Sequence, residues 1–350
     1  MKRIWAVGAS VRALTQSLLA SGHEVLAADL FNDFDLQRIA PTQRIVDFPH
    51  DLLRLVESVE ADGFIYTGGL ENYPELIDAL AEKLPLLGNP GHVLRRVRDV
   101  PTLRATLEGG RFQMPPMAEA VPLDTAQRWL KKSADSSGGL RMDWARPEGG
   151  PLKPGEYYQT FIEGPVYGAS FLAADGDVRL LGLAQQLTAC PWTNAPAFHY
   201  AGSIGPLHLS DELHQEIERL GRWLTSEFQL RGWFGIDVVV DQQQRLWVLE
   251  INPRYTASME VLQPGNGMLG KAIVYTKQRI HVSHELTQYL VRRGDAADIP
   301  CPGSELLAGG PVVSVFAQGA SAAAVRHSLQ DKAVQLQTKL RAHEVQGVVP

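Results

Sequence analysis

Hydrophobic and polar positions fall into two alternating rhythms over the first ninety residues. Ile4 to Val7 is a short unbroken apolar run, as a strand buried on both faces requires. Val11 to Ser21 switches to helical spacing, and Gly22 supplies the stop. Glu24 to Ala28 predicts a second strand, ending at Asp29, and Leu52 to Val59 a helix. Gly63 to Tyr66 predicts a third strand and Pro74 to Leu84 another helix. Strand and helix in alternation imply a parallel sheet covered by helices. The opening run is too short for a signal peptide, and Arg12 interrupts it soon after. No apolar run in the chain reaches the ~18 residues that a membrane span needs.

A helix is expected from about His92 to Glu108, interrupted or kinked near Pro101. Beyond it the rhythm changes. Pro115-Pro116, Pro122 and scattered glycines punctuate short strands at Trp129–Lys132, Tyr157–Ile162 and Tyr167–Ala173. Leu213 to Phe228 is an amphipathic helix. Gly235–Val240 with Leu246–Ile251 is the clearest hairpin. After about Gly270 the pattern weakens. Asp295–Val315 reads as a small β unit, Ser321–Leu340 as a helix, and Val345–Pro350 as an unanchored tail. The organisation expected is therefore three regions: 1–90, 91–270 and 271–350.

Composition restricts the function classes. Thirty-three Lys and Arg against 39 Asp and Glu leave a net charge of −6, which disfavours an electrostatic nucleic-acid partner. Arg95, Arg96 and Arg98 read as one solvated helix face. Two cysteines, Cys190 and Cys301, cannot make a disulfide framework and fit a reducing cytoplasm. The 45% apolar and 21% charged content marks a folded globular chain, long enough for two or three domains.

The hairpin carries the candidate chemistry. Side chains alternate faces with period two, so Glu250 and Asn252 share a face. Pairing residue 237 with 250 adds Asp237 to that face, sets 242 opposite 245 and leaves Gln243-Gln244 as a two-residue turn. Cβ atoms paired in this way lie about 5 Å apart. Two carboxylates that close repel each other without a cation. Hard oxygen ligands beside an amide suit Mg²⁺, which takes few protein ligands and completes its shell with phosphate oxygens and water. Arg254 follows at once, with a planar fork for a phosphoryl or carboxylate group.

Phe234-Gly235-Ile236-Asp237 followed by Leu249-Glu250-Ile251-Asn252-Pro253-Arg254 resembles the metal-binding end of the ATP-grasp superfamily. That superfamily includes biotin carboxylase, carbamoyl phosphate synthetase and many carboxylate–amine ligases. The resemblance implies that Asp237, Glu250 and Asn252 hold one or two Mg²⁺ ions, with Mn²⁺ as the alternative, against the phosphates of ATP. It also implies that Arg254 stabilises the transferring phosphoryl group. Trp129-Leu130-Lys131-Lys132-Ser133 and Ser136-Ser137-Gly138-Gly139 resemble the nucleotide-lysine strand and the flexible glycine loop. Lys132 best matches the phosphate-contacting lysine. Lys131 stays open, because the family often has Pro where Ser133 stands. Tyr158-Gln159-Thr160-Phe161-Ile162-Glu163-Gly164 resembles the adenine-pocket segment. Backbone near Phe161 and Ile162 would read the adenine edge, and Gln159 or Glu163 would contact adenine or ribose. Many members have an acid at the place of Gln159.

The implied fold is mixed α/β and α+β. It has an N-terminal Rossmann-like parallel unit (1–90), an ATP-grasp domain of two α+β subdomains (91–270) and a small C-terminal α+β unit (271–350). The chain looks most like the carboligase-like branch related to biotin carboxylase and carboxylate–amine ligases. The implied activity is an ADP-forming ligase. It would activate a small-molecule carboxylate as an acyl-phosphate for attack by an amine, in the cytoplasm, with no nucleic acid or membrane partner. Carboxylation through carboxyphosphate and non-catalytic nucleotide binding are the alternatives. Homodimers are common in related folds.

Two loops would face the grasp. Gly8 to Arg12 opens a helix whose N–H groups can receive an anion. Gly69 to Asn72 follows the third strand. Ser10, Arg12, Glu71 and Asn72 are therefore substrate candidates. Trp192–Pro206, with Tyr200 and Ser203, reads either as an acceptor-site lining or as a packed loop. Gly8 with Asp29 hints at a dinucleotide site, but Ser10 and Ala13 stand where that fingerprint has glycines.

Overall fold

The computed structural model describes residues 1–121, 127–136, 138–146, 152–174, 176–188, 190–262 and 267–343. Pro122, Ser137 and the 345–350 tail lie outside the described residues. β1 (Arg3–Gly8), α1 (Arg12–Ala20), β2 (Glu24–Asp29), α2 (Phe34–Gln37), β3 (Thr42–Arg44), α3 (Leu52–Leu55), β4 (Gly63–Tyr66) and α4 (Pro74–Ala81) come first. Their strands pair in parallel in the order β3-β2-β1-β4. Both faces of β1 are buried, as its unbroken apolar run requires. Trp5 and Val7 pack with Phe64 and Ile77, while Ile4 and Ala6 pack with Leu14 on the other face. Gly22 ends α1 at φ +79°, with its N–H on the carbonyl of Leu19 and that of His23 on Leu18. β3 was not legible, because Thr42-Gln43-Arg44 is a polar, half-exposed edge with no alternation.

The expected long helix is two, α5 (Gly91–Arg98) and α6 (Val100–Gly109). Asp99 is extended, and its carboxylate accepts the Thr102 N–H at 2.9 Å, capping α6. Pro101 sits in the first turn of α6, where a missing N–H leaves no bond unmade.

β5 (Met117–Ala118), β6 (Trp129–Ser133), β7 (Asp143–Trp144) and β8 (Glu156–Thr160) form a small antiparallel sheet, ordered β5-β8-β6-β7. β8 ends at Thr160, so Phe161 and Ile162 follow the strand instead of completing it.

The remaining elements begin with β9 (Val166–Ala174), β10 (Asp177–Thr188), β11 (Tyr200–Leu207), α7 (Asp211–Phe228), β12 (Gly232–Val240), β13 (Leu246–Asn252) and β14 (Met268–Tyr275). β15 (Ile280–His281), α8 (His284–Arg293), β16 (Ala296–Ala297), β17 (Glu305–Leu306), β18 (Pro311–Gly319) and α9 (Ala322–Arg341) complete the chain. An eight-stranded antiparallel sheet runs β13-β12-β9-β10-β11-β14-β18-β16. Ser210 caps α7, which buries Leu213, Ile217, Leu220, Leu224 and Phe228 beside the stacked Phe171 and Phe234. Each such side chain contributes about 1.5–3 kcal/mol. A Cβ at Gly221 would stand 2.3 Å from the Phe171 ring, so any larger residue there pushes the helix off the sheet.

β10 and β11 are strands that the pattern hid. β11 contains Gly202, Gly205 and Pro206, which read as turn signals in sequence. In the sheet the same Gly202 permits close strand packing, because a Cβ would lie 2.0 Å from the Lys271 carbonyl oxygen. Trp192–Pro206 is thus part short 3₁₀ turn and part central strand. Among the described residues no helix is long and apolar enough to cross a membrane.

Candidate active site

β12 and β13 place Asp237 opposite Glu250, the register expected. The turn differs. A bulge follows this pair, so Val238 faces Val248 and Val240 faces Leu246, which leaves Asp241 to Arg245 as the connection. Gln-Gln does not favour a tight two-residue turn. Asp241 closes the wider one, accepting the N–H groups of Gln243 and Arg245 at 2.9 Å each. Gln244 takes the left-handed conformation there, at φ +59°.

Polar groups converge at the other end of the hairpin. Gln186 Nε2 donates to Asp237 at 2.7 Å. Asn252 Nδ2 donates to Asp237 at 3.2 Å and to Glu250 at 3.3 Å. Asn252 Oδ1 accepts from Arg254 Nη2 at 3.0 Å. Burial and the neighbouring Glu250 push the Asp237 carboxyl well up. Burial also opposes ionisation of Glu250, but Lys132 and Arg98 outweigh it and hold that carboxyl down. No group of three or more His, Cys, Asp and Glu suited to a metal occurs among the described residues. Two carboxylates and an amide remain as the donor set, which fits Mg²⁺ with its small need for protein ligands.

An open cleft with about 520 Å³ of empty space lies beside these groups, lined by Arg98, Lys132, Gly139, Tyr157, Leu249 and Glu250 among others. The two neighbouring lysines separate here. Lys132 is buried, with Nζ 3.2 Å from Gln159 Oε1, and lines the cleft. Lys131 points to the other face of β6 and pairs with Glu156 at 2.8 Å, with a side chain 36% exposed. The glycine loop is seated on β11. The Tyr200 N–H donates to the Gly138 carbonyl at 3.0 Å, and a Cβ on Gly139 would stand 1.9 Å from the Phe198 carbonyl oxygen.

Residues 100–258 match the family model for the ATP-grasp domain. This chain carries an ATP-grasp domain. No curated protein sequence matches the chain. Among solved structures it is similar to the pyruvate carboxylase of Rhizobium etli, at 14% identity and a TM-score of 0.69. That match covers 95% of this chain but 36% of the other, so the chain spans about a third of that protein's length. It is similar also to L-amino acid ligase from Bacillus licheniformis, at 14% identity and a TM-score of 0.65, covering 98% of each chain. A third is the biotin carboxylase domain of Hydrogenobacter thermophilus 2-oxoglutarate carboxylase, solved with MgADP, ADP and bicarbonate. There the identity is 12%, the TM-score 0.64, and the cover 90% of this chain and 86% of the other. Identities this low carry the fold alone.

The ATP-grasp domain holds the hairpin, Lys132 and the glycine loop within its matched span, while Glu71, Asn72 and Arg98 precede it. Glu71 and Asn72 nevertheless reach the site. Glu71 binds Arg254, and Asn72 Oδ1 accepts from Arg98 Nη2 at 2.7 Å. Gln159 is buried against Lys132, and Glu163 is exposed. The Phe161 N–H donates to the Arg128 carbonyl at 2.8 Å, so it is already engaged within the protein. Ile162 follows it, half-buried. Ser203 is fully buried and hydrogen-bonds the Tyr200 hydroxyl at 2.8 Å. Ser10 is exposed, and its carbonyl accepts from the Thr67 hydroxyl.

Arg12 lies elsewhere, in a buried ionic group. It meets Asp298 at 2.6 Å, Glu260 at 2.5 Å and Asp35 at 3.6 Å, while Lys271 pairs with Glu260 at 2.8 Å and Asp298 at 3.2 Å. Asp29 is fully buried, and desolvation raises its carboxyl to about 6 against the bonds from Asn32 and Val11. Its two oxygens accept the N–H groups of Val11 and Asn32, at 2.7 and 2.6 Å, so Asp29 caps its own chain and is not presented to a dinucleotide ribose.

Two residues escaped the sequence reading. Gln186 carried no signal, because only strand pairing brings it to Asp237. Arg98, expected on one solvated face with Arg95 and Arg96, does not lie on that face. Arg95 does face outward, pairing with Glu75 and Asp78, but Arg98 lines the cleft. Its position four residues after the buried Leu94, on the same helix stripe, was the available clue.

Proposed function

We propose that this protein is an ADP-forming ligase that joins a small-molecule carboxylate to an amine through an acyl-phosphate. The observation that carries the reading is the junction of a two-carboxylate, one-amide donor set with Arg254 and the cleft holding Lys132 and Arg98. Asp237, Glu250 and Asn252 would hold Mg²⁺, which when bound supplies charge neutralisation for nucleotide phosphates. Lys132 offers a point charge to those phosphates, and Arg98 a second cation. Arg254 steadies the transferring group with its fork. The γ-phosphoryl moves to a carboxylate oxygen and ADP leaves. The amine nitrogen then attacks the acyl carbon, inorganic phosphate departs, and the nitrogen gives up a proton. The protein's part is to position reactants and exclude water beneath the glycine loop.

The second reading is carboxylation through carboxyphosphate. Two of the three structural neighbours named above are carboxylases, which favours it. One assay separates the two: ADP release from MgATP with a panel of acids and amines, each with and without bicarbonate. Release that needs an acid and an amine, with an amide of the summed mass, supports the ligase. Release that needs bicarbonate replaces it with the carboxylase. Nucleotide binding without release under every condition leaves a non-catalytic binder.

A further inference from the structure

We propose that Arg98 is a positioning residue that transmits nucleotide occupancy of the cleft to the loop Leu70–Asn72, and through Glu71 to Arg254. This deepens the nucleotide-binding reading above and rests on it. One guanidinium nitrogen, Nη2, donates both to Asn72 Oδ1 at 2.7 Å and to the Ser136 carbonyl of the glycine loop. The N-terminal unit and the loop over the cleft are thus held by the same atom. Arg98 Nε is buried and has no hydrogen-bond partner among the described residues, although the side chain lines the cleft beside Glu250.

A guanidinium is a rigid plane. A phosphate oxygen that accepts from Nε fixes that plane and therefore fixes the direction of Nη2. Asn72 ends a single 3₁₀ turn of three residues, Leu70–Asn72, so holding Asn72 also holds the adjoining Glu71. Glu71 in turn accepts from Nε of Arg254 and forms an ion pair with its Nη2. The loop lies close against this arginine. A Cβ at Gly68 would stand 3.3 Å from the Arg254 guanidinium carbon. Nucleotide in the cleft then orders the loop that orients the phosphoryl-binding arginine before the second substrate arrives.

The test is amide hydrogen exchange on the full chain with and without MgADP, alongside calorimetry of MgADP binding. In the wild type MgADP raises protection in the glycine loop and, by about tenfold, in residues 68–73. Asn72→Ala still binds MgADP and still protects the glycine loop, but loses the gain at 68–73. Asn72→Asp, which keeps the acceptor, restores it. Arg98→Lys gives an independent check. It keeps the cation yet lacks the planar fork, so it binds MgADP more weakly, and at saturating MgADP the glycine loop is protected without the coupled protection at 68–73. Protection at 68–73 that is absent in the wild type, or that survives in Asn72→Ala or Arg98→Lys, overturns the inference and leaves nucleotide binding standing. No MgADP binding by the wild type overturns both.

Discussion

Arg254 donates Nε to Oε1 of Glu71 at 2.8 Å and holds Nη2 2.7 Å from that same oxygen, across 183 residues of sequence. The glutamate side chain is fully buried and that of the arginine 10% exposed. Removing one partner of such a pair leaves a buried charge uncompensated. Glu71→Ala should therefore lower unfolding free energy by about 3–5 kcal/mol, and Glu71→Gln by less, because its amide keeps an acceptor. Urea unfolding measures both. A loss from Glu71→Ala of only about 1 kcal/mol, the range of an exposed pair, would count against the buried coupling.

Asp237→Asn replaces a carboxyl that burial and Glu250 push well up with an amide that carries no charge. Two close carboxylates disfavour each other when no cation is bound, so the variant should melt no lower than the wild type. It should lose response to magnesium. Ligand at a hundred times its Kd stabilises by about 2.7 kcal/mol, which at roughly 2–4 °C per kcal/mol is a shift on the order of 5–11 °C for a domain of ~150–250 residues. Thermal melts with and without MgADP read the difference. An equal shift in both proteins would remove Asp237 from the metal set.

The two adjacent lysines give a paired control. Lys132→Ala should weaken MgADP binding by tenfold or more, about 1.4 kcal/mol. Lys131→Ala removes only a partly exposed pair with Glu156 and should change stability by about 0–1 kcal/mol, with unchanged affinity. Calorimetry on both decides. Reversal of the two effects would assign the nucleotide to Lys131.

Gly139→Ala tests the seat of the glycine loop. The backbone sits at φ +79°, and the added carbon would fall 1.9 Å from the Phe198 carbonyl oxygen. The loop must move off β11. The expected result is a folded protein with faster trypsin cleavage at Arg141 and weaker MgADP binding. Cleavage at the wild-type rate would show that the loop does not need this contact.

Asp241 sets an acid limit on the hairpin. Desolvation pushes its carboxyl up, but Trp247, the Arg245 N–H and the Arg245 guanidinium outweigh it and hold it down to about 2. A carboxyl depressed by folding contributes stability above its unfolded pKa of about 3.9 and loses it as pH falls through the folded value. The stability gap between wild type and Asp241→Asn should hold steady above about pH 5 and narrow toward pH 2. Urea melts across that range measure it. A gap that does not change with pH would mean that the carboxylate charge is irrelevant to the turn.

Much of the candidate site's geometry was legible from local rhythm. A period of two puts Glu250 and Asn252 on one face whatever the rest of the chain does, and one hairpin register adds Asp237. The parallel unit was equally plain, because β1, β2 and β4 are apolar on both faces. The turn was misjudged, since its geometry follows from the Asp241 carboxylate collecting N–H groups and not from loop length alone.

The sequence by itself determined which residues share a strand face or helix stripe, because those periods depend only on backbone geometry. Tertiary structure alone decided which face meets which partner. It turned Arg98 into the cleft and brought Gln186 to Asp237 through strand pairing. It enclosed Arg12 with Asp298, 286 residues away. The glycines of β11, which read as turns, became a central strand because neighbouring carbonyls leave no room for a Cβ. Charge pairing and close packing act through space, and spacing along the chain does not encode them.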